Sequence, residues 1–314
     1  MPTKWIAHVM MSIVLVLFMV KTIIVQDTLW MQIAMVTLTV VLVVGVCLHA
    51  REITNKTPFQ DSLRNHVLDG FYVVMGAIMT YALSLLFGIH AVTASALVGL
   101  LAHVFLKRHE VAIYCGSFAG MTSVILIRPL EFVLVALLTG LVFVLLKPVY
   151  QGFGGKLGTI AFIGSVTTYV MLGKDFATII LLRFNLVIFI LVAVIGAILP
   201  WYIQHRIRPS AVFASAAPSL LVALLFIPLL THGDIYATVF FAASFAGMAS
   251  IDRLPNLFWA GIAGLVCGLL FYGTFIVMNG AGGKLGTIAV LSVIVTWVLA
   301  NAQRSLFKQK TPSV

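Results

Sequence analysis

Apolar runs of about 20 residues follow one another along the chain with short polar breaks, the length a helix needs to cross the hydrocarbon core of a bilayer. Reading these windows predicts about twelve spans. Two stand at the start, 5–25 and 28–50. Five follow at 67–88, 90–106, 111–127, 131–149 and 157–173, and five more at 184–204, 210–229, 235–250, 257–278 and 285–302. The fold class expected is all-α, a polytopic membrane protein.

Superimposed on this pattern are three repeated strings. Gly-Gly-Lys-Leu-Gly-Thr-Ile-Ala occurs at 154–161 and again at 282–289. Ser-Phe-Ala-Gly-Met-Thr-Ser at 117–123 returns as Ser-Phe-Ala-Gly-Met-Ala-Ser at 244–250, and Ala-Val-Thr-Ala-Ser-Ala at 91–96 returns as Ala-Val-Phe-Ala-Ser-Ala at 211–216. The shifts are 120, 127 and 128 residues in the same order, far beyond the ~20–50 residues of solenoid units. The chain therefore divides into an N-terminal helix pair and loop (1–66), a first repeat (67–175), a second repeat (176–302) and a tail (303–314).

Corresponding spans lie five crossings apart, an odd number, which makes the two five-helix repeats inverted. Charge supports the orientation. With the N-terminus in the cytoplasm, Arg51, Lys56, Arg64, Lys107, Arg108, Lys147, Lys156, Arg206, Arg208, Arg253, Arg304, Lys308 and Lys310 fall inside, and few basic residues remain outside. Both termini are then cytoplasmic, and the expected location is a plasma membrane or a bacterial inner membrane. Dipping 111–127 and its counterpart without crossing would make the repeats parallel, but would turn His205-Arg206-Ile207-Arg208 outward. By repeat count and inversion, the arrangement resembles bile-acid-sodium-symporter-like, sodium-proton-antiporter-like and urea-transporter-like proteins. That resemblance implies a substrate site at the bilayer midplane, exposed alternately to each side.

Composition narrows the chemistry. Hydrophobic residues make up 62% of the chain and charged residues 9%, leaving no room for a soluble catalytic domain. The net charge of +10 is spread over separate loops without interleaved aromatics, which argues against nucleic acid. Cys47, Cys115 and Cys267 lie in apolar segments without metal-ligand spacing, and no acidic pair or Ser-His arrangement suggests an enzyme.

Two sets of residues are candidates for substrate binding. Ser117, Gly120, Met121 and Ser123, with Ser244, Gly247, Met248 and Ser250, place glycine and hydroxyls inside predicted spans, where a helix break would free backbone groups for a solute. Close helix packing by small residues is the competing explanation. In the octapeptides, Lys156 and Lys284 add positive charge to helix N-termini, with Thr159 and Thr287 three residues on. A phosphate-binding loop is excluded because leucine follows each lysine. A lysine reaching lipid phosphate competes with an anion site here. Arg183 is read either as an anion ligand or as an outer interfacial residue.

None of the nine acidic residues falls at the centre of a span, which argues against a carboxylate-based proton pump. His90 and His103 lie near span ends. A coupling cation such as sodium, held by hydroxyls and freed carbonyls, stays open, as does no coupling, and no other cofactor is called for. The expected function is a secondary transporter of a small hydrophilic solute, an anion by the lysines, with a passive channel and a membrane subunit of a larger complex as alternatives. The expected partners are the lipid bilayer and the small-molecule or ion substrate. The N-terminal helix pair adds a surface for a homo-oligomer or partner docking.

Overall fold

The computed structural model describes residues 2–54, 62–177 and 185–310. Its twelve α-helices are α1 (Pro2–Val25), α2 (Leu29–Thr54), α3 (Leu63–Phe87), α4 (Ala91–Phe105), α5 (Glu110–Ala119), α6 (Pro129–Leu146), α7 (Lys156–Met171), α8 (Leu186–Tyr202), α9 (Ala211–Leu229), α10 (Gly233–Gly247), α11 (Leu257–Gly273) and α12 (Lys284–Lys310). No strand occurs among the described residues. Seven helices, α1, α2, α3, α6, α8, α9 and α12, are long and apolar enough to cross a bilayer. Their outward faces carry large apolar side chains such as Ile24, Leu86, Leu130 and Leu229. A water-soluble domain would bury such surface, so this is a membrane protein.

The remaining helices are shorter. The predicted span 111–127 is a ten-residue helix, α5, followed by an irregular segment to Arg128. At ~1.5 Å per residue such a helix covers about half the hydrocarbon thickness. Its counterpart α10 ends at Gly247 and is likewise followed by turns, to Pro255. Both helices stop inside the Ser-Phe-Ala-Gly-Met strings, and long-range bonds satisfy the freed backbone. Tyr81 donates its hydroxyl to the Ile127 carbonyl, and Trp201 donates Nε1–H to the Leu254 carbonyl at 3.0 Å. His205 Nε2 lies 3.0 Å from the Ala249 carbonyl.

Packing follows one order twice. α3 lies on α5 and α6, α4 on α5, and α6 on α7. In the same way α8 lies on α10 and α11, α9 on α10, and α11 on α12. The two sets meet where α4 packs on α9 and α7 on α12. The second contact is antiparallel. A Cβ on Gly155 would meet Gly286 O and Val290 N, whereas one on Gly283 would meet Gly158 O and Phe162 N. α7 and α12 thus overlap by their first two turns and then diverge in opposite directions.

α1 and α2 stand outside this repeated order, packed on α6 and on α11 and α12. Arg253 fixes them: its guanidinium pairs with both Glu52 carboxylate oxygens at 3.0 and 2.7 Å and lies over the Phe153 and Trp297 rings.

Candidate functional site

Gly154-Gly155 and Gly282-Gly283 bring the chain into the centre of the molecule. The backbone turns at Gly155 (φ +87°) and Gly283 (φ +82°), a left-handed conformation that a side chain disfavours, and α7 and α12 start at the following lysines. Each start abuts the end of a broken helix from the other half. A Cβ on Gly154 would strike the Phe245 and Ala246 carbonyls, and one on Gly282 the Ala119 and Phe118 carbonyls. The positive ends of α7 and α12 therefore face the negative ends of α10 and α5.

The loops interlock through two equivalent backbone bonds. Ser250 N–H donates to Gly152 O and Ser123 N–H donates to Gly280 O, both at 2.9 Å. The lysine amines turn inward. Lys156 Nζ donates to the Lys147 carbonyl at the end of α6, at 2.7 Å. Lys284 Nζ donates to the equivalent Phe275 carbonyl at 3.4 Å and to Asn279 Oδ1 at 2.7 Å. Each amine thus caps the C-terminal end of the preceding helix, which offsets the unfavourable placement of a cation at the next helix's N-terminus.

Two cavities flank this centre. The first, of about 280 Å³, is lined by Lys156, Leu157, Gly152, Gly155, Gln151 and Phe143 of the first half, and by Ala211, Val212 and Met248 of the second. The second, of about 390 Å³, is lined by Lys284, Leu285, Gly280, Gly283, Asn279 and Phe271, and by Ala91, Val92 and Met121. Shifting the numbers by 128, 127 and 120 converts one set into the other. Each of these two cavities takes its octapeptide from one half and its methionine and helix start from the other half.

The cavities lie at opposite ends of α4. The second is lined by residues at the helix start, while Nδ1 of the helix's C-terminal His103 lies 3.2 Å from Oγ of Ser210, which immediately precedes the Ala211 and Val212 of the first. Between them stand the Phe118 and Phe245 rings, 4.5 Å apart and backed by Tyr114 and Phe241, and the α7–α12 crossing.

The candidate residues divide accordingly. Lys156, Lys284, Met121 and Met248 line cavities. Ser117 and Ser244 do not: Ser117 Oγ meets Ser95 Oγ at 2.9 Å, Ser244 Oγ meets Ser215 Oγ at 2.7 Å, and all four are buried. Ser95 and Ser215 belong to the Ala-Val-x-Ala-Ser-Ala strings, so two of the repeated motifs bond to each other within each half. Gly120 packs on Thr80 and Ala77, and Gly247 on Ala197, Pro200 and Trp201. Thr159 and Thr287 are buried, Thr159 Oγ1 donating to Gly155 O at 3.4 Å, and neither is among the cavity-lining residues. Ser123 and Ser250 act through their backbone. Arg183 lies outside the described residues.

Sequence reading passes over Gln151 and Asn279, and places His90 near a span end and Asp234 away from any span centre without assigning either to a site. The first pair carries a signal, two amides at the 128-residue shift. His90 and Asp234 line the second cavity.

Comparison with protein-family models, curated proteins and solved structures finds no match to this chain. The chemistry of the site therefore rests on its own geometry. Among the described residues no group of three metal-ligating side chains occurs. Two cavities, each with its octapeptide lysine, an amide and apolar walls, the first also lined by Lys147 and the second by His90, Asp234 and Thr238, can hold a small solute on either side of a closed centre.

Proposed function

We propose that the protein is a secondary transporter built from two inverted five-helix repeats, 67–175 and 176–302, after an N-terminal helix pair. It moves a small solute, an anion by preference, by opening its two cavities in turn. The observation that carries this reading is the correspondence of nine lining residues of each, under the repeat shifts, at opposite ends of α4. If the two halves exchange conformations, one cavity deepens towards the centre as the other closes, and a solute crosses without a continuous pore. The antiparallel crossing of α7 and α12 supports inversion, since parallel repeats would align equivalent helices in one direction.

The anion preference follows from the amines of Lys156 and Lys284, each held at a cavity wall beside the positive end of a helix. The aromatic block of Phe118 and Phe245 favours a carrier over a passive channel, because a pore would need that block removed without a second one forming.

Thermal unfolding of the purified protein against a panel of small anions, cations and neutral solutes tests the reading, since a ligand bound only by the folded state raises stability. Stabilisation by an anion class, followed by counterflow of that anion in proteoliposomes, is the expected result. Flux linear in concentration without counterflow would replace the carrier with a channel. A flat panel would favour a subunit of a larger complex.

A further inference from the structure

We propose that His103, Glu110 and Ser210 form a proton-binding latch that couples closure of the first cavity to uptake of one proton. The inference rests on the carrier reading above and supplies its coupling ion.

The three residues come from three helix ends and both halves. His103 closes the last turn of α4, Glu110 opens α5, and Ser210 is the N-cap of α9. His103 Nδ1 lies 2.5 Å from Glu110 Oε2. Ser210 Oγ donates to the same carboxylate, 3.2 Å from Oε1 and 3.3 Å from Oε2, and accepts the Phe213 N–H at 3.2 Å. The hydroxyl thus has its one hydrogen on Glu110, and Nδ1–H of His103 is the second donor to that carboxylate. The neighbours of Glu110 and Ser210 in sequence, Val111 and Ala211, line the first cavity. The cluster therefore joins the two halves at the mouth of that cavity.

Its charge depends on a single proton. With a neutral imidazole the cluster carries one negative charge, whereas protonation at Nε2 gives an imidazolium–carboxylate pair of net zero. Nε2 is buried and has no hydrogen-bond partner, so the proton enters from water while the mouth is open. Closing the mouth withdraws Glu110 from water, which favours the neutral pair over a lone buried carboxylate. Opening separates Ser210 from Glu110, rehydrates the carboxylate and releases the proton to solvent.

Among the described residues, the other elements around α4 bring no second carboxylate to this end. α9 contributes Ser210 and, beyond the Phe213 ring, the guanidinium of Arg208, which precedes it. The turn after α4 holds Lys107, Arg108 and His109, the last stacked on Tyr72 of α3. Asp69 of α3 pairs with Lys147, and Asp234 of α10 lies at the second cavity. That cavity is lined by a histidine and a carboxylate of its own, His90 before α4 and Asp234 at the start of α10, at positions the repeat shifts do not relate to His103 and Glu110.

The test is the distance between spin labels at Phe105→Cys and Ile207→Cys, both exposed positions, with Cys47, Cys115 and Cys267 replaced by alanine. Two distances are expected, the shorter gaining on acidification by up to about tenfold in population ratio per pH unit, the limit for one proton. His103→Gln and Glu110→Gln remove that dependence. Ser210→Ala, which retains both titrating groups, shifts the ratio and keeps its pH dependence. Two distances in a pH-independent ratio, or an unchanged pH dependence in the glutamine variants, overturn the latch and leave the carrier standing. A single distance at every pH overturns both. Should the glutamine variants not fold, the parent and Ser210→Ala decide the outcome by the same criteria.

Discussion

Gly158 and Gly286 meet backbone to backbone: a Cβ on Gly158 would lie 2.5 Å from the Cα of Gly286, and one on Gly286 would lie 2.4 Å from the Cα of Gly158. They are the same residue of the two octapeptides. Any axis that exchanges α7 with α12 must pass between them, and neither side can move away without parting the crossing that separates the cavities.

Alanine at either position is therefore expected to cost at least the ~1–3 kcal/mol of overpacking, since the clash is with a backbone atom and no side-chain rotation relieves it. Gly88→Ala supplies the contrast. Gly88 has φ +64° and nothing within 4 Å of an added Cβ, so only the left-handed conformation is penalised, by about 1 kcal/mol. Thermal unfolding in detergent should rank both crossing variants below Gly88→Ala. Equal losses would mean that α7 and α12 separate in solution.

Ser117 and Ser244 hold hydroxyl pairs within their own halves and are not among the residues lining either cavity. Ser117→Ala should remove one buried hydroxyl pair with Ser95, lowering stability by about 1 kcal/mol, and leave the affinity for any stabilising solute unchanged. Ser244→Ala should do the same through Ser215, with a further effect because Ser215 Oγ also meets Tyr114 OH at 3.0 Å. A change of affinity without loss of stability would return these serines to the binding site.

Much of this architecture is legible in the sequence, and the limits have physical causes. All twelve helices fall on predicted apolar windows because burial in lipid is written residue by residue. The ends of α5 and α10 are not, since Val124, Ile125, Leu126 and Ile127 continue the apolar run past the break. Bonds from distant residues, Tyr81 to Ile127 O and Ser123 N–H to Gly280 O, hold that segment, and a window along the chain contains neither partner. The strings contain the residues that meet at the centre of the molecule, but the octapeptides read as loop mouths on opposite faces, with Lys156 inside, and the division of labour within them is not legible. Lysine and methionine face the cavities while serine and threonine face other helices, a matter of rotation about each axis that the repeat leaves unspecified.

Lys156 and Lys284 should differ in what their loss does. Lys156→Met removes the donor to the Lys147 carbonyl, whereas Lys284→Met also strands Asn279 Oδ1. Both are expected to abolish stabilisation by an anion. The second should lower unfolding stability further, by about 1–3 kcal/mol for each buried acceptor left unpaired. Lys→Arg should not rescue either, because the guanidinium needs a wider, planar set of acceptors. Titration of the variants with the stabilising anion, alongside their unfolding curves, separates binding from folding.

Arg253 and Glu52 provide the last comparison. Arg253 is 5% exposed and lies between the Phe153 and Trp297 rings, while the Glu52 side chain is 36% exposed. Glu52→Gln keeps the two rings on the guanidinium and lets water reach the freed donors. Its cost should resemble that of a half-exposed ion pair, about 1 kcal/mol or less. Arg253→Met removes the ring contacts together with the ion pair that ties α2 to the turn after α10, so its cost should be several times larger. It should also loosen the Ser250 N–H to Gly152 O bond three residues away, beside the first cavity. Hydrogen exchange over 248–256 distinguishes the two cases: faster exchange in Arg253→Met with little change in Glu52→Gln is the expected pattern. Equal acceleration would mean that the ion pair, more than the aromatic sandwich, fixes the helix pair to the repeats.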